Sequence, residues 1–596
     1  MLARAHLSCI PHPQRRVYVR AIIMPSLRVQ LDPHGTCTWY IDHITCIVHA
    51  LLRFMSTTLS RFLSYRMAFT LRNVLVLDNV ASCCSQILQD NGIQADTVAK
   101  LSKEELLARI PNYDGVIVRS ATKITADVID VAKNLKIIGR AGTGVDNIDV
   151  SAASRHGVIV MNTPAGNTMS AAEHTCAMMC AMSRYLPQGH MSLKEGRWDR
   201  KLFMGNELNG KTLAIIGLGK IGKEVATRMQ SFGMTTIGYD PIVTSSEAAE
   251  FNVEWMELEQ LWPKADYITV HTPLIPQTKG LLGEKSFPQC KRGVRVINVA
   301  RGGIIDEAAL VKALESGQCG GAALDVFEQE PPTNITLIQH PKVVCTPHLG
   351  ASTEEAQLRV AMEIAEQMVD AVNGKSLFGA INAHAFSNAL KPETKPLVSL
   401  GECLGAAAVA LCGQVSNQTQ VQVITYGDSL KEAGSYLGAA VTVGLLRSNT
   451  TNGMNLVNAG VLAKEIGIQI ATVHQECAPV PLTGPCLSVV VTGNGVGHKL
   501  SGCVMNGSPM LLEIDGAVFI SGVMLQGNML VYKAQAGTTV FPAIASVLSA
   551  SNQILSYGTT PPSNNGSWSG IQLASPLPSV DSLKQHVTFA TQLSLN

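Results

Sequence analysis

Gly217, Gly219 and Gly222, in the stretch LAIIGLGKIGKEVA, follow an apolar run and open a helix-like pattern. In a G-x-G-x-x-G turn the first glycine permits the sharp bend, the second lets a pyrophosphate approach the backbone, and the third lets helix and sheet pack closely. Amides at the helix start, here around Lys220 and Ile221, then point at phosphate oxygens. A chain with 51 glycines also makes such a spacing as a plain tight turn. Two neighbours favour the phosphate reading: KIGKEVATRMQSFG has helical periodicity, and the strand-like TTIGYD ends at Asp240. An acid about twenty residues past the glycines accepts hydrogen bonds from ribose hydroxyls and repels a 2′-phosphate, which selects NAD over NADP. GNGVG at Gly493 has the wrong spacing and no following helix, and reads as a loop.

A bound nicotinamide needs a substrate anchor, a proton acceptor and a group that holds the acceptor. Arg301 follows VRVINVA and precedes two glycines, which leave its guanidinium open to a carboxylate. Glu330 stands before Pro331-Pro332, and His348, in CTPHLGAS, can exchange a proton with a hydroxyl. Alone, each has a plainer reading: surface charges for Arg301 and Glu330, a capping or satisfied core histidine for His348.

The elements that must position these residues come in two alternating series, the sign of β-α-β units. NVLVLD (73–78), GVIVRS (115–120), KIIGRAG (136–142) and GVIVMN (157–162) read as buried parallel strands, followed by a long helix from Ser170 to about Leu186. TLAIIG, TTIGYD, YITVHTP, VRVINVARGG (294–303), GAALDVF and VVCTPHLG (343–350) form the second series, and residues 352–372 are again helical. Beyond Gly374, Gly, Ser, Asn and Thr rise and KPETKP (391–396) reads as a linker. Two small α/β units follow, without paired carboxylates, a Ser/His/Asp set or a metal cluster, which suits regulation or assembly.

The 596 residues require several cores. The 46% hydrophobic and 15% charged content describes a folded chain. Net charge +1 and pI ≈ 7.6 point to neither nucleic acid nor a membrane surface as partner. The 15 cysteines form no disulfide framework, and a reducing compartment is expected. No charge-free apolar stretch of about 18 residues is found. The nearest, ITCIVHALLRFM from Ile44, is short and carries His49 and Arg53. Cys37, His43, Cys46 and His49 match no zinc spacing, and no metal is expected. Residues 1–66 are Arg-rich and acid-poor. They read either as an unstructured extension ahead of an initiator at Met67 or as a mitochondrial transit peptide.

Taken together, GLGKIG, the RGG of Arg301, the EPP of Glu330 and PHLGAS at His348 resemble the D-isomer-specific 2-hydroxyacid dehydrogenases. RSATKITADVI, IGRAGTGVDNID, MNTPAGNTMSAAEHT and FMGNELNGKTL narrow the resemblance to the branch acting on 3-phospho-D-glycerate, over the chain from about Phe69 onward. The resemblance implies an α/β fold in which a Rossmann-like NAD domain (165–350) is inserted in a flavodoxin-like substrate domain (67–164 and 351–378). An intervening α/β domain (379–515) and an ACT-like regulatory domain (516–596) would follow. It implies NAD-dependent, reversible oxidation of the phosphorylated 2-hydroxy acid to 3-phosphohydroxypyruvate, the first step of serine synthesis. His348 resembles the family acid/base, Glu330 the carboxylate that orients it, and Arg301 the carboxylate-binding arginine. Arg119, Ser120 and Arg140 fall in loops that hold the substrate's phosphate and carboxylate ends, while Thr143, Thr272, Ala300 and Asp325 resemble cofactor contacts. A cytoplasmic homo-oligomer, a tetramer in the family, is expected, with mitochondrial import if residues 1–66 act as a transit peptide.

Two departures stand out. Lys220 occupies a position where the family more often has Arg, and KAQAGTTVF lacks the Asp-x-Pro-Gly turn of amino-acid-binding versions, so serine feedback is not expected. The rival readings are a glyoxylate or hydroxypyruvate reductase, which would not need Arg119 with Arg140, and an NAD-sensing corepressor, which gains nothing from the C-terminal units.

Overall fold

The computed structural model describes residues 70–596 apart from 414, 448–452, 479–483, 494–495, 538–539, 550–551 and 596. The extension 1–66, with its transit-peptide and zinc readings, lies outside the described residues.

Short uninterrupted apolar runs such as Gly115–Val118 and Tyr267–Val270 are buried at every position, as parallel strands covered on both faces must be. The first sheet contains Asn73–Val76 (β1), Gln94–Thr97 (β2), Gly115–Val118 (β3), Ile137–Arg140 (β4) and Ile159–Asn162 (β5), in the order β2-β1-β3-β4-β5. All its pairs are parallel. The helix Glu354–Val372 returns to this sheet and buries Val360, Ala361, Ile364 and Met368 against Val74, Val76 and Ile137. The substrate unit is therefore discontinuous in sequence. Residues 379–382 also belong to it: Gly379 O accepts from Asn162 N, Ile381 N donates to Val160 O, and Asn382 Oδ1 accepts from Val160 N. A boundary at 378/379 thus falls too early.

Between these halves lies the second sheet. Its strands are Thr212–Ile216 (β6), Thr235–Tyr239 (β7), Glu254–Trp255 (β8), Tyr267–Val270 (β9), Val294–Asn298 (β10), Cys319–Leu324 (β11) and Val343–Cys345 (β12). Their order is β12-β11-β10-β9-β6-β7-β8, all parallel. The order reverses between β6 and β9, so a crevice opens beyond their C-terminal ends, where open α/β sheets bind ligands. The helices Thr168–Ser183 and Lys220–Gln230 cover one face, and Glu307–Glu315 covers the other.

The expected linker 391–396 is instead the approach to a helix, Lys395–Cys412, with Pro396 in its first turn, where a missing N–H costs nothing. Lys395 and Glu402 interrupt the apolar pattern, yet this helix alone, among the described residues, is long and apolar enough to cross a membrane. In the fold it lies against Gly434–Leu446. The two backbones come so close that a Cβ on Gly405 would stand 2.2 Å from Val441 O, and one on Gly444 2.0 Å from Glu402 O.

Both helices pack on a third sheet of Gln420–Tyr426 (β13), Gln469–Gln475 (β14), Cys486–Gly493 (β15), Val496–Met505 (β16), Ser508–Ile514 (β17) and Ala517–Met524 (β18). Strand pairing in this sheet runs across the expected boundary at 515/516. β18 pairs with β17 from Ile514↔Ala517 outward, around a two-residue turn with Asp515 at φ 51° and Gly516 at φ 82°. The C-terminal sheet thus begins at Gly527, with Gly527–Ala534 (β19), Ile554–Thr559 (β20), Ser567–Leu573 (β21) and Phe589–Leu595 (β22) in the order β20-β21-β19-β22. Its neighbours are antiparallel, as in split β-α-β units.

Candidate active site

The glycine turn joins β6 to the helix Lys220–Gln230, and each glycine has its own reason. Gly217 stands at φ 97°, and a Cβ there would lie 2.6 Å from His271 O. Gly222 backs onto Gly217 O, which an added Cβ would meet at 2.1 Å. Gly219, the helix N-cap, has nothing within 4 Å of where its Cβ would point. That open side, above free helix-terminal amides beside Lys220 and Ile221, fits a pyrophosphate. Asp240 closes the turn from β7: Oδ2 accepts from Leu218 N at 2.9 Å, and Oδ1 from Ile242 N and Val243 N. A carboxylate accepts about four hydrogen bonds, which leaves capacity for a ribose hydroxyl. Thr272, just past β9, buries its Oγ1 without a partner, a donor waiting for a ligand beside the same turn.

Across the crevice, Arg301 follows β10 on a turn held by Asn298, whose Nδ2 donates to Arg301 O at 2.7 Å and whose Oδ1 accepts from Ala300 N. Its Nε donates to Asp146 Oδ2 at 2.8 Å and its Nη1 to Ala300 O. The guanidinium lies over Gly144, where a Cβ would come within 1.7 Å of Nη2. Ala300 thus contributes its backbone to the turn and to Arg301.

His348 follows β12 with φ 55°, and its Nδ1 lies 2.7 Å from Glu330 Oε2. Glu330 Oε1 accepts from Phe327 N at 3.3 Å, which fixes the carboxylate at the end of β11. The hydrogen bond that His348 donates to Glu330 raises the His348 pKa above its ordinary value, against burial. Burial pushes Glu330 up, but the bond to His348 wins and holds it below the usual carboxylate value. With Nδ1 committed to Glu330, Nε2 is the ring nitrogen left for a substrate.

Asp325, expected as a cofactor contact, lies beneath the turn that carries His348. It is fully buried: Oδ1 accepts from Thr346 Oγ1 and Leu349 N, Oδ2 from Gly350 N, and His174 Nε2 lies 3.3 Å away. Burial disfavours its charge, but these donors outweigh burial and keep its pKa low. It thereby builds the turn that carries His348.

From the first sheet, Arg140 and Arg119 project at the ends of β4 and β3. Arg140 lies over Gly142, keeps its Nε enclosed without a partner, and donates from Nη1 to Ala141 O at 3.2 Å. Burial, then the charges of Arg301 and Arg119, press its pKa down to about 10, so it stays charged at neutral pH. Arg119 is half-buried, and burial also lowers its pKa against the pull of Asp78. It lines an open cleft of about 570 Å³ with Ser352, Thr353, Glu354, Gln357 and Leu358. Ser120 beside it is exposed. Thr143 sits between the sheets: Oγ1 donates to Asn167 Oδ1 at 2.6 Å, and its carbonyl accepts from Asn162 Nδ2.

The structure therefore brings Arg119, Arg140, Arg301, Glu330 and His348 together: Arg140 feels the charges of Arg119 and Arg301, and His348 those of Arg301 and Glu330. Asp78, Asp146, Asn147 and His174 also shape the site. Asp146 and Asn147 lie within IGRAGTGVDNID and His174 within MNTPAGNTMSAAEHT, stretches that carry the resemblance but give these residues no role. Asp78 lies outside them, although Asp and Asn just past a strand, as in LDN, tolerate left-handed backbone and signal a built turn.

Residues 176–350 match the NAD binding domain of D-isomer specific 2-hydroxyacid dehydrogenases, and residues 393–515 match the D-3-phosphoglycerate dehydrogenase intervening domain. The chain is 51% identical over 533 residues to D-3-phosphoglycerate dehydrogenase of Rattus norvegicus, a match covering 88% of this chain and 99% of the rat protein. It belongs to the D-3-phosphoglycerate dehydrogenases, within the D-isomer-specific 2-hydroxyacid dehydrogenases. The human protein of that name is also 51% identical, over 533 residues and 99% of its length. The Bacillus subtilis protein is 42% identical over 435 residues, 71% of this chain and 82% of its own. The family and its NAD cofactor account for the glycine turn, the acid at Asp240 and the orphaned Thr272 hydroxyl together.

Proposed function

We propose that the chain catalyses the reversible, NAD-dependent oxidation of 3-phospho-D-glycerate to 3-phosphohydroxypyruvate, the first step of L-serine biosynthesis. The observation that carries the reading is the convergence of Arg119, Arg140 and Arg301 beside the Glu330–His348 pair, with Arg140 Nε enclosed and unpartnered. Three guanidiniums at this density repel one another, and a ligand with both a phosphate and a carboxylate relieves that repulsion. The family's unphosphorylated substrates would leave part of it uncompensated.

NAD, bound on the glycine turn, supplies the hydride acceptor. Arg301 anchors the substrate carboxylate through the guanidinium edge that Asp146 and Ala300 O leave open. Arg140 and Arg119 hold the phosphate end. Neutral His348 Nε2 takes the C2 hydroxyl proton while hydride leaves C2, and Glu330 stabilises the imidazolium so formed. In the reverse direction the imidazolium returns that proton. Asp325 keeps the turn, and so the imidazole, at the right depth.

Homo-oligomerisation belongs to the same proposal. Leu186, Met191, Leu193, Trp198, Leu202 and Met204 are exposed together on the helix Leu186–Lys194 and the loop after it. An apolar patch of this kind is suited to burial against a second copy. Size-exclusion chromatography with light scattering should give a dimer or larger, and a monomer at micromolar concentration contradicts it. The compartment is proposed to be the cytoplasm, to be tested by imaging the full-length chain.

The activity test is NADH formation by purified protein with 3-phospho-D-glycerate, compared with D-glycerate and D-lactate. Phosphorylated substrate should be preferred. Turnover of the unphosphorylated acids alone assigns the chain to a sister dehydrogenase.

A further inference from the structure

The turn that carries Arg119 is gripped from two sides. Asp78, just past β1, uses Oδ2 to accept from Arg119 N at 2.9 Å and Thr122 N at 3.0 Å, and Oδ1 to accept from Thr122 Oγ1 at 2.6 Å. From the other side Asn147 Nδ2 donates to Arg119 O at 2.8 Å and Thr122 O at 2.6 Å. Both amides and both carbonyls at the ends of the turn are thereby fixed.

We propose that Asp78 is a positioning residue for Arg119: its buried carboxylate fixes the turn 119–122 and so sets the preference for a phosphorylated over an unphosphorylated 2-hydroxy acid. This rests on the reading of Arg119 as a phosphate contact. Two observations support it beyond the contacts themselves. Asp78 is only 7% exposed, and a carboxylate enclosed to that degree is kept where its hydrogen bonds are needed. Asp78 and Asn79 stand in succession at φ 61° and φ 53°, a backbone that L residues seldom adopt and that persists where the surroundings over-determine it.

The alternative is an ordinary loop anchor that contributes stability but no selectivity. Kinetics with paired substrates separates the two. Asp78→Ala should lower kcat/KM for 3-phospho-D-glycerate roughly 10–100-fold, the usual cost of losing an orienting partner. The loss should fall on KM, with kcat for the same substrate within about 3-fold, kcat/KM for D-glycerate within about 3-fold and NAD affinity unchanged, since the glycine turn lies elsewhere. Asp78→Asn should stay near wild type: its oxygen can face the two amides while its NH₂ donates to Thr122 Oγ1, which restores position without charge. If Asp78→Ala does not fold, Thr122→Val removes only the hydroxyl contact. It should then show the same selective loss at roughly 2–10-fold. Discrimination that survives in Asp78→Ala, or in Thr122→Val, while Arg119→Ala loses it overturns the positioning role and leaves the Arg119 reading intact. An Asp78→Asn variant as defective as Asp78→Ala also overturns it, because charge and not position would then be decisive. Discrimination that survives in Arg119→Ala removes Arg119 from phosphate recognition, and this proposal with it.

Discussion

His348 Nδ1 and Glu330 Oε2 lie 2.7 Å apart at the ends of adjacent parallel strands, β12 and β11. The register of these strands, Ala322↔Val343 to Leu324↔Cys345, brings the loops after them to one edge. The carboxylate is anchored by Phe327 N and the imidazole by the Asp325-built turn, so two rigid strand ends present the pair.

Cofactor choice should follow Asp240. Replacing Asp240 with Ser removes the carboxylate that would repel a 2′-phosphate, and Ile242→Arg, at an exposed neighbour, would attract it. The double variant should narrow the NAD-to-NADP preference in kcat/KM by about tenfold or more, since a charge-assisted contact is worth roughly 1.5–3 kcal/mol. Wild-type protein that already uses both cofactors equally removes Asp240 from this role.

Gly222→Ala should damage NAD binding and leave the substrate unit intact. The added methyl meets Gly217 O at 2.1 Å, a backbone atom of the turn itself, so the cradle must shift. Overpacking of this kind costs about 1–3 kcal/mol, or roughly a 5–150-fold weaker Kd for NAD by calorimetry. An unchanged Kd would mean that the cofactor does not use this turn.

Arg140 should trade stability for function. Arg140→Leu removes a desolvated cation with an unpartnered Nε, so the melting temperature should hold or rise. At the same time kcat/KM for phosphorylated substrate should fall by about 10–150-fold. A variant that is less stable yet kinetically normal would show that Arg140 is a structural residue.

The matched motifs and the described elements begin after Met67, so a chain starting there should keep wild-type NADH formation. Loss of activity on that truncation would tie residues 1–66 to the fold, and mitochondrial import of the full-length chain would support the transit-peptide reading.

The two parallel sheets were legible in the sequence because strands buried on both faces read as uninterrupted apolar runs between helical stretches. The glycine turn and the Arg301, Glu330 and His348 positions were legible because they sit at strand ends, where the apolar pattern stops. The C-terminal half is less legible. Asp515-Gly516 is the residue pair that a two-residue hairpin favours, yet in a region without strong periodicity the pairing of β17 with β18 across it is not legible. The apparent linker at Lys395-Pro396 fails for a similar reason, since proline also starts helices. Asp78 and Asn147 act across sequence separations of about forty and twenty-five residues, and Asp146 reaches Arg301 from the other sheet. No local pattern encodes such contacts. They exist only once both sheets are assembled. The part Asp325 plays in the His348 turn, through burial and four donors, is likewise visible only in the assembled fold.

The most direct test of the account is the pH profile of kcat/KM for 3-phospho-D-glycerate oxidation in wild type, Glu330→Gln and His348→Ala. Oxidation requires neutral His348, so the acidic limb reports its pKa in the free enzyme. Glu330 raises that pKa above the ordinary histidine value of about 6.5. Glu330→Gln keeps the shape and removes the charge, so His348 loses its proton more readily. The limb should then move to lower pH while the plateau falls. His348→Ala should abolish the limb and cost about 10²–10⁴-fold, with NAD affinity retained in both variants. A limb that stays in place in Glu330→Gln, or that persists in His348→Ala, contradicts the assignment of His348 as the base and Glu330 as the carboxylate that tunes it.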